Sequence, residues 1–446
     1  MENQESKINR RKFLEKSATG TLAAAVFTAS SPAIAFSSFS KNKKRVALVG
    51  TGSRGSGMWG RQIVEDYSDV AEMVGLYDIN KKRAEYAKTY MKTDANIFPD
   101  FEKMIKETRP DYVIVATVDS HHWEYAVRAM EMGCDVISEK PVATDEKQCQ
   151  AIWDAHKKTG KKVIVGFNAR HNPRRIEMKE LLMADKIGKI ISVDFLEYLN
   201  VYHGASYFRR WHAYKKNSGT LLVHKSTHHF DQINWWLEAD PVEVTAYGQL
   251  GHYGKNSDFR GEKCRTCPHK DSCSFYWDIT QYEHYMKLYV NCEDVDGYFR
   301  DACVFRKDID IYDAMSVIVK YNNGVQLTYS LNAFLPFEGP AVAFNGTEGR
   351  LEKTFEPGEW EKDYSEYRLT MNFEQPQTFK VKRRTGGHGG ADIGIKNMIF
   401  RGIGDDPYKL HADLRAGIMS AITGIAAYRS IETGKPVKIA DLINLT

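Results

Sequence analysis

Long hydrophobic runs are missing from most of this 446-residue sequence, and neither cysteine nor charge of one sign is abundant. Beyond the N-terminal segment no stretch approaches the roughly 18 apolar residues of a membrane-spanning helix, so no stable membrane insertion is expected. Seven cysteines are too few for a disulfide scaffold. A net charge of +4 leaves no clustered basic excess for nucleic-acid binding. The composition, 42% hydrophobic and 27% charged, excludes disordered and fibrous chains and indicates a globular protein.

The first 35 residues have the features of an export signal. Arg10 and Arg11 are adjacent, an apolar stretch covers about residues 18–27, and Ala33-Ile34-Ala35 supplies the small residues that signal peptidase requires. We therefore expect a twin-arginine leader over 1–35, cleaved after Ala35, and a linker over 36–44. The alternative is an uncleaved anchor, but the apolar run is too short to span a bilayer. The expected location is the periplasm, and because this route carries folded cargo, a cofactor site is expected in the rest of the chain.

A glycine-rich turn directly follows the first predicted strand, residues 45–49. The turn reads Gly50-Thr51-Gly52-Ser53-Arg54-Gly55 and precedes a helical pattern. In this GxGxxG arrangement Gly50 permits a tight turn, Gly52 lets the backbone approach a pyrophosphate, and Gly55 allows close packing of helix on strand. The helix N-terminus at Ser53 and Arg54 offers unpaired N–H groups to phosphates.

Asp78 ends the second predicted strand, at residues 70–77. An acidic side chain there can accept hydrogen bonds from the ribose hydroxyls of a dinucleotide, which favours NAD over NADP. Lys81, Lys82 and Arg83 follow closely, so NADP stays open.

Strands and helices continue to alternate up to about residue 168, which predicts a parallel, doubly wound Rossmann domain over 45–168. Ligands bind beyond the carboxyl ends of such strands. The polar residues at those ends, which we take as cofactor contacts, are Thr117, His122, Glu139, Lys140 and Asn168.

Two tripeptides at strand ends resemble the Gfo/Idh/MocA family of nicotinamide-dependent sugar and polyol oxidoreductases. They are Glu139-Lys140-Pro141 and Asn168-Ala169-Arg170, and the resemblance covers essentially all of residues 45–440. It implies that Lys140 lies between the nicotinamide and the substrate hydroxyl and that Arg170 is on the substrate side. An ammonium near the nicotinamide cation can have a lowered pKa and can hydrogen-bond the oxygen that loses its proton.

The second signature of that family is an Asp and a His four residues apart on a helix, followed by an Asp three residues later. Aligning on Asp231 puts the family histidine at His228 and replaces the family aspartate by His224. We therefore expect His228 to be a general acid or base with Lys140, and His224 to orient substrate or relay a proton. The spacing predicts both rings on one helix face and His229 on another. A metal held by the three histidines is the alternative.

The pattern changes beyond residue 170 to several alternating strands with few helices. The predicted strands are 191–199, 242–250, 315–321, 325–334 and 341–345, and a core helix is predicted at 414–429. Residues 169–446 are thus expected to form an α+β domain with an open, mostly antiparallel sheet, so that the whole chain belongs to the α/β class. The family resemblance implies that this sheet also serves a homo-oligomer.

Two stretches of the second domain have the composition of a sugar-binding surface. One covers residues 202–212 and is rich in aromatic rings and cations, and the other is the glycine-rich segment 386–392. A structural aromatic loop and a flexible tether are the alternatives. The candidate substrate contacts are Arg170, His203, Tyr207, Arg209, Arg210, Trp211, His388 and Asp392.

Most cysteines lie in an apparent insertion at 251–305. Cys264, Cys267 and Cys273 are closely spaced, and Cys292 and Cys303 follow. Structural disulfides, a structural zinc or iron–sulfur site, and free thiols are all compatible with this spacing. None of the three makes the cluster catalytic, and no catalytic metal is expected.

The resemblance implies hydride transfer between a sugar carbon and a tightly bound NAD(P). Because free NAD is scarce outside the cytoplasm, an exported enzyme would regenerate its cofactor within the site. One route resembles glucose–fructose oxidoreductase, in which a second sugar takes back the hydride. The other resembles the NAD-dependent glycoside hydrolases, in which transient oxidation at C3 permits elimination, hydration and re-reduction. A sugar-binding protein with a vestigial cofactor fold is a third alternative, which the intact GxGxxG, Asp78 and Lys140 disfavour.

Overall fold

The computed structural model describes residues 43–355, 362–382, 384–402 and 404–446. The twin-arginine leader predicted for residues 1–35 and most of the predicted linker lie outside the described residues. Within the described ranges, no helix combines the length and the apolar character needed to cross a membrane.

The first sheet has six parallel strands in the order β3-β2-β1-β4-β5-β6. Its strands are β1 Lys44–Val49, β2 Ala71–Tyr77, β3 Asn96–Ile97, β4 Tyr112–Val115, β5 Asp135–Ser138 and β6 Val163–Val165. Helices alternate with these strands. The first, Arg54–Arg61, has π-type hydrogen bonding and continues directly into the α-helix Gln62–Asp66. The others are Lys81–Met91, Phe101–Thr108, His122–Glu131 and Glu146–Thr159. The central strands β1, from Val46 onward, and β4 are apolar and mostly buried because helices cover both faces. The predicted Rossmann sheet is confirmed.

The second sheet has nine strands in the order β14-β13-β12-β11-β7-β10-β9-β8-β15, and only the central pair β7–β10 is parallel. Its strands are β7 Ile190–Asn200, β8 Pro241–Gln249, β9 Ala314–Tyr321, β10 Gln326–Leu335, β11 Gly339–Gly346, β12 Gly349–Lys353, β13 Tyr364–Met371, β14 Gln377–Lys382 and β15 Val437–Lys438. The mostly antiparallel sheet is confirmed, although β12 to β14 were not predicted.

The helices of this second part are mostly short. They are Pro173–Met183, Val201–Arg209, Lys215–Ser218, Leu221–His224, Thr227–Leu237, Glu283–Leu288, Glu293–Asp296, Ala391–Lys396 and Leu414–Thr433.

The long helix Leu414–Thr433 connects the two sheets. Asp413 caps it, because its Oδ1 accepts the Ala416 N–H at 2.9 Å. A Cβ on Gly417 would lie 2.7 Å from Val165, and a Cβ on Gly424 would lie 2.2 Å from the Leu222 carbonyl oxygen. The two glycines therefore let the helix touch β6 at one point and the segment before His224 at another, which brings that segment to the carboxyl ends of the parallel strands.

Candidate functional site

The glycine-rich turn has the backbone geometry that a dinucleotide site needs. Gly50 has φ +87°, and a Cβ there would meet the Ala116 carbonyl oxygen at 2.5 Å. A Cβ on Gly55 would lie 1.9 Å from the Gly50 oxygen, so the helix can approach the strand only with glycine here. The Ser53 N–H donates to the Tyr289 hydroxyl at 2.9 Å. The expectation that Ser53 offers an unpaired N–H to a phosphate is therefore wrong for this structure, in which the Tyr289 hydroxyl occupies that donor.

Asp78 lies beside this turn and is almost fully buried. Its carboxylate accepts the Thr51 N–H at 2.7 Å and the Asn80 N–H at 2.8 Å. Arg83 contacts Asp78 at 3.2 Å and Asp296 at 2.6 Å. Because two carboxylates neutralise Arg83, this corner suits a ribose diol better than a 2′-phosphate. The residues present therefore fit NAD.

A cleft of about 880 Å³ extends from the turn to the second sheet, near the upper end of the ~300–1,000 Å³ range of ligand pockets. Fifteen predicted site residues line it: Gly52, Ser53, Arg54, Thr117, His122, Glu139, Lys140, Asn168, His203, Tyr207, Arg210, Trp211, His224, His228 and His388.

Lys140 lies between the two domains in this cleft. Its Nζ donates to the His224 carbonyl oxygen at 3.0 Å. Burial lowers the pKa of Lys140 to about 8, although Asp119 and Glu139 favour its charged form. A lysine with that pKa exchanges a proton near neutral pH, as a general base must.

His224 is paired with a carboxyl group from the first domain. Its Nδ1 lies 2.6 Å from Asp119 Oδ2. Burial raises the pKa of Asp119 well above its usual value and lowers the pKa of His224 well below. Both shifts disfavour the doubly charged form of the pair, with an ionised Asp119 and a protonated His224. Asp119 supplies, from a distant part of the chain, the carboxyl group that is absent from position 224.

The helix expected to carry both histidines is broken. Leu221–His224 ends at Lys225, and Thr227–Leu237 begins after Ser226, whose hydroxyl donates to the Leu221 carbonyl oxygen at 3.2 Å. Both rings still line the cleft. His229 lines it as well, with Nδ1 2.9 Å from the Tyr329 hydroxyl. Among the described residues no three His, Cys, Asp or Glu side chains are arranged to hold one metal ion, so the three histidines do not form such a site.

His228 lines the cleft, and one of its ring nitrogens has no hydrogen-bond partner among the described residues. Its Nδ1 is buried and has no hydrogen-bond partner in the described part of the chain, and burial lowers the pKa of the ring well below its usual value. Three further cleft atoms share this state: His212 Nδ1, Gln232 Oε1 and Arg300 Nε. Unpaired buried polar atoms are costly, so these four atoms lower the stability of the cleft wall in this state.

Glu139 organises the cofactor side. Its Oε1 accepts from Arg54 Nε at 2.7 Å and from Trp59 Nε1 at 2.8 Å. Burial favours the neutral acid, but Arg54 and Lys140 outweigh it and the pKa of Glu139 falls below its usual value. The His122 ring lies between the carbonyl oxygens of Pro141, at 2.6 Å, and Thr117, at 3.2 Å. These contacts fix the ends of β4 and β5.

The aromatic stretch forms a helix, Val201–Arg209, rather than a loop. His203 Nδ1 lies 2.8 Å from Glu338 Oε1, and its Nε2 lies 3.1 Å from the Tyr207 hydroxyl. The Arg210 guanidinium stacks over the Tyr207 ring at 5.3 Å. This side of the cleft thus offers rings and donors together, as carbohydrate binding requires.

Six predicted site residues do not line this cleft: Gly50, Gly55, Asp78, Arg170, Arg209 and Asp392. The Arg170 guanidinium forms a bidentate ion pair with Asp231, at 2.9 and 2.6 Å. Asp392 lies behind the cleft wall, where it accepts from Asn168 at 2.6 Å and lies 2.8 Å from His388.

The cleft residues that were not predicted include Asp119, Lys225, Tyr289 and Arg300. Asp119 follows β4 by four positions, and that strand-end position was the signal that could have identified it. Lys225 lies 3.6 Å from Glu197. Tyr289 and Arg300 belong to the insertion, and the Tyr289 hydroxyl reaches Ser53 of the glycine-rich turn across 236 positions of sequence.

Comparisons with known proteins agree with this geometry. Residues 44–167 match the Gfo/Idh/MocA model described as an oxidoreductase family with an NAD-binding Rossmann fold, and residues 179–439 match its C-terminal alpha/beta domain. The oxidoreductase-family protein YteT of Bacillus subtilis (strain 168) is 36% identical over 427 residues, which is 90% of this chain and 99% of YteT.

Two more distant matches are an inositol dehydrogenase and the structure of a levoglucosan dehydrogenase. Inositol 2-dehydrogenase of Salmonella typhimurium is 26% identical over 212 residues, 46% of this chain and 57% of that protein. The structure of levoglucosan dehydrogenase in complex with NADH and levoglucosan superposes with a TM-score of 0.66 at 17% identity, covering 89% of this chain and 100% of the other, which shows a shared fold. The two domain matches together span most of the chain, which therefore belongs to the Gfo/Idh/MocA family of oxidoreductases.

Proposed function

We propose that this protein is an NAD-dependent dehydrogenase that oxidises a hydroxyl group of a sugar or sugar derivative. The observation that carries the proposal is the position of Lys140, whose lowered pKa and contact with His224 place a proton acceptor in a cleft bordered by the glycine-rich turn. The inositol and levoglucosan dehydrogenases among the relatives support a polyhydroxylated substrate.

Each of the main cleft residues has a separate role in the proposed reaction. Bound NAD⁺ supplies a hydride acceptor. Neutral Lys140 takes the hydroxyl proton as the carbon loses its hydride, and the His224–Asp119 pair relays a proton or orients the same oxygen. His228, whose ring lines the cleft, donates or accepts a hydrogen bond at a neighbouring hydroxyl. Tyr207 and Trp211 offer flat faces to the C–H side of the ring.

The rate of oxidation should depend on the protonation of Lys140. Because the base must be neutral, we expect kcat/KM to rise about tenfold per pH unit below about pH 8 and to level above it. Asp119 favours the charged form of Lys140, so Asp119→Asn should move the break to lower pH. The measurement is single-turnover reduction of bound NAD against pH, and a flat profile between about pH 6 and 9 would contradict the assignment.

Asp78 should determine how well NAD is retained. Asp78→Ala removes both the ribose acceptor and the group that holds the Thr51 N–H, so the purified variant should carry several-fold less NAD than the wild type. The matched control is Asp294→Asn, which removes an exposed carboxylate paired with Lys82 and leaves Asp78 and the turn untouched. The measurement is the amount of dinucleotide released per chain on denaturation. Equal amounts from Asp78→Ala and wild type would count against a role of Asp78 in retaining NAD.

The proposed tight binding of NAD has structural support in the insertion. Tyr289 covers the Ser53 N–H, and the Asn80 side chain donates to the Cys292 carbonyl oxygen at 2.8 Å. Arg83–Asp296 closes the same edge. A phosphate that takes the Ser53 N–H would displace the Tyr289 hydroxyl from it, and the insertion would then border the bound dinucleotide.

The overall proposal is tested on protein purified without added nucleotide. The protein is denatured to identify any released dinucleotide, and intact protein is incubated with free sugars, carbonyl acceptors and aryl glycosides. Stoichiometric NAD(H) that is reduced by a sugar and reoxidised by a carbonyl acceptor would support the dehydrogenase. Aglycone release without net redox change would instead support the glycoside hydrolase route, and absence of both dinucleotide and turnover would favour a binding protein.

We further propose a homo-oligomer formed through the outer face of the second sheet. Tyr247 on β8 and Ile318 on β9 lie on this face and are 77% and 53% exposed. Light scattering of wild type and of Tyr247→Lys/Ile318→Lys should show a multimer that the double variant loses. A monomeric wild type would refute the proposal.

Export through the twin-arginine route is likewise proposed, on the strength of Arg10 and Arg11. Replacing both arginines by lysine should leave the protein unprocessed in the cytoplasm, as cell fractionation with an activity assay would show. Periplasmic protein from the variant would contradict this route.

A further inference from the structure

Two arginines that line the cleft, Arg210 and Arg300, form no ion pair with a carboxylate in the described part of the chain. The Arg210 guanidinium lies over the Tyr207 ring at 5.3 Å, and its Nε donates to the Ser206 carbonyl oxygen at 2.8 Å. The Arg300 guanidinium lies over the Tyr289 ring at 5.0 Å. Both positive charges therefore lie against aromatic rings instead of carboxylates.

The acidic groups nearby are already paired with other cations or with histidines. Four carboxyl groups of the described residues line the cleft, and each has a basic partner within 3.6 Å. The pairs are Asp119–His224, Glu139–Arg54, Glu197–Lys225 and Glu338–His203. In the insertion, Asp296 pairs with Arg83 at 2.6 Å and Asp301 pairs with Arg265 at 3.2 Å. Within the described ranges, the chain thus supplies no counter-charge to the two cleft arginines.

The insertion holds Arg300 beside the cleft through its backbone. Lys263 and Ala302 form an antiparallel bridge, and the Cys264 N–H donates to the Asp301 carbonyl oxygen at 2.8 Å. The five cysteines of the insertion are free thiols in the structure, and among the described residues no side chains are arranged to hold a metal ion. Arg300 directly precedes the bridged residues, so its position is fixed by these backbone contacts.

The two guanidinium groups raise the positive potential of this part of the cleft. Burial lowers the pKa of Arg210, and the neighbouring Arg300 lowers it further. Burial also lowers the pKa of His212 well below its usual value, and Arg210 adds to this effect. Because an arginine stays charged throughout the physiological pH range, deprotonation cannot relieve this potential. A bound anion would relieve it.

Arg210 lies next to the groups that handle the proton in the proposed reaction. The Tyr207 ring, on which its guanidinium lies, is 5.3 Å from the His224 ring. Burial raises the pKa of Asp119, and Lys140 and Arg210 both act in the opposite direction. The Asp119 carboxyl group is therefore within electrostatic reach of both cations. One small molecule can then contact Lys140 through a hydroxyl group and Arg210 through an anionic group.

The surroundings of Arg210 favour a carboxylate over a phosphate. Arg210 directly follows the helix Val201–Arg209, and its Nε is bonded to a carbonyl oxygen of the last turn. The carbonyl groups at a helix C-terminus repel a doubly charged phosphate more than a singly charged carboxylate. An arginine can also bind both oxygens of a carboxylate at once.

NAD⁺ does not meet this need in the proposed reaction, because its diphosphate binds at the glycine-rich turn and its nicotinamide ring is positively charged. We propose that the substrate is a sugar acid whose carboxylate is bound by Arg210 and Arg300 while the hydroxyl group to be oxidised lies at Lys140. This inference rests on the proposed dehydrogenase function and adds the class of its substrate.

The test compares sugar acids with the neutral sugars that differ from them only at C6, on full-length protein saturated with NAD. The pairs are D-galacturonate with D-galactose and D-glucuronate with D-glucose. Titration calorimetry measures binding, and absorbance of NADH measures oxidation. We expect Kd and kcat/KM to favour the acid by about 10- to 100-fold, the usual effect of hydrogen bonds to a charged group. This preference should shrink as ionic strength rises.

Substitution of either arginine should remove the preference. In Arg210→Met and Arg300→Met we expect the ratio of acid to neutral sugar to fall to about threefold or less, whereas Arg210→Lys keeps the charge and should retain part of it. The control is Arg260→Met. Arg260 belongs to the same insertion and donates to the Phe305 carbonyl oxygen at 3.2 Å, but it does not line the cleft. This variant should keep the wild-type ratio.

Three outcomes would overturn the proposal. They are equal binding of acids and neutral sugars by the wild type, tighter binding of D-glucose 6-phosphate than of D-glucuronate, and methionine variants that lose NAD but keep the preference for the acid. The last would assign the guanidinium groups to the diphosphate. If the variants do not fold, the wild-type comparison decides alone.

The carboxylate site and the dehydrogenase can fail separately in this experiment. Acids that bind in an Arg210-dependent way without reducing NAD would support the site and refute the dehydrogenase. Neutral sugars that reduce NAD as well as the acids do would support the dehydrogenase and refute the site.

Discussion

Replacing Lys140 by alanine should slow reduction of the bound NAD by about 10²–10⁴-fold, the usual contribution of a positioned acid or base. The Nζ atom is the titratable group held at the centre of the cleft with a pKa of about 8. The dinucleotide should remain bound, because the turn and Asp78 are untouched. Stopped-flow spectroscopy measures the rate at which substrate reduces the bound NAD. The dinucleotide released on denaturation shows whether the variant still binds NAD.

Two controls separate proton transfer from a packing defect. Lys147→Ala removes an exposed lysine from the helix Glu146–Thr159 and should leave the rate unchanged. Small primary amines added to Lys140→Ala should restore part of the rate, with a pH dependence that follows the pKa of the amine. A Lys140→Ala enzyme within about threefold of wild type, far below the 10²-fold minimum for acid–base catalysis, would remove Lys140 from the mechanism.

Local patterns in the sequence account for most of the fold. The apolar, β-branched runs before Gly50, Thr117 and Glu139 form buried parallel strands. A short continuous apolar run is the pattern expected of a strand that is buried on both faces. The outer strands β12 to β14 were not predicted. They lie at one edge of the second sheet and alternate charged with apolar residues over short lengths, as in Gly349–Lys353. A short pattern of this kind is indistinguishable from a loop in the sequence, because the strand is stabilised by side-chain packing against neighbouring strands.

Only those cleft residues that belong to a recognisable sequence motif could be predicted. The strand-end rule placed Lys140 and Glu139, but the partner of His224 is 105 positions away in sequence and Tyr289 is 236 positions from Ser53. Contacts between residues so far apart in the sequence produce no periodic pattern around either residue, so sequence patterns cannot reveal them. The break at Ser226 was also invisible, because its hydroxyl bonds both the Leu221 carbonyl and Tyr329 of a distant strand.

Asp231→Asn should lower the free energy of unfolding by about 3–5 kcal/mol, as expected when one partner of a buried ion pair is removed. Asp231 is 1% exposed and Arg170 5% exposed, and the two share two hydrogen bonds. The asparagine leaves the guanidinium buried with part of its hydrogen bonding and no counter-charge. Denaturant unfolding of wild type and variant, with NAD removed from both, gives the difference.

A double variant and an exposed pair make the test specific. Arg170→Met/Asp231→Leu should recover much of the loss, because apolar packing replaces two buried charges. Glu243→Gln, which breaks an exposed pair with Lys320, should cost at most about 1 kcal/mol. A loss below about 1 kcal/mol in Asp231→Asn, or a double variant as unstable as the single, would contradict the argument.

The same pair explains why a strand-end arginine predicted to contact substrate does not line the cleft. Arg170 ties the turn after β6 to the helix Thr227–Leu237, and that helix carries His228. If the pair is structural, Asp231→Asn should weaken folding and substrate positioning together, while Arg170→Met/Asp231→Leu recovers both. Recovery of stability without recovery of turnover would instead assign Arg170 a direct part in the reaction.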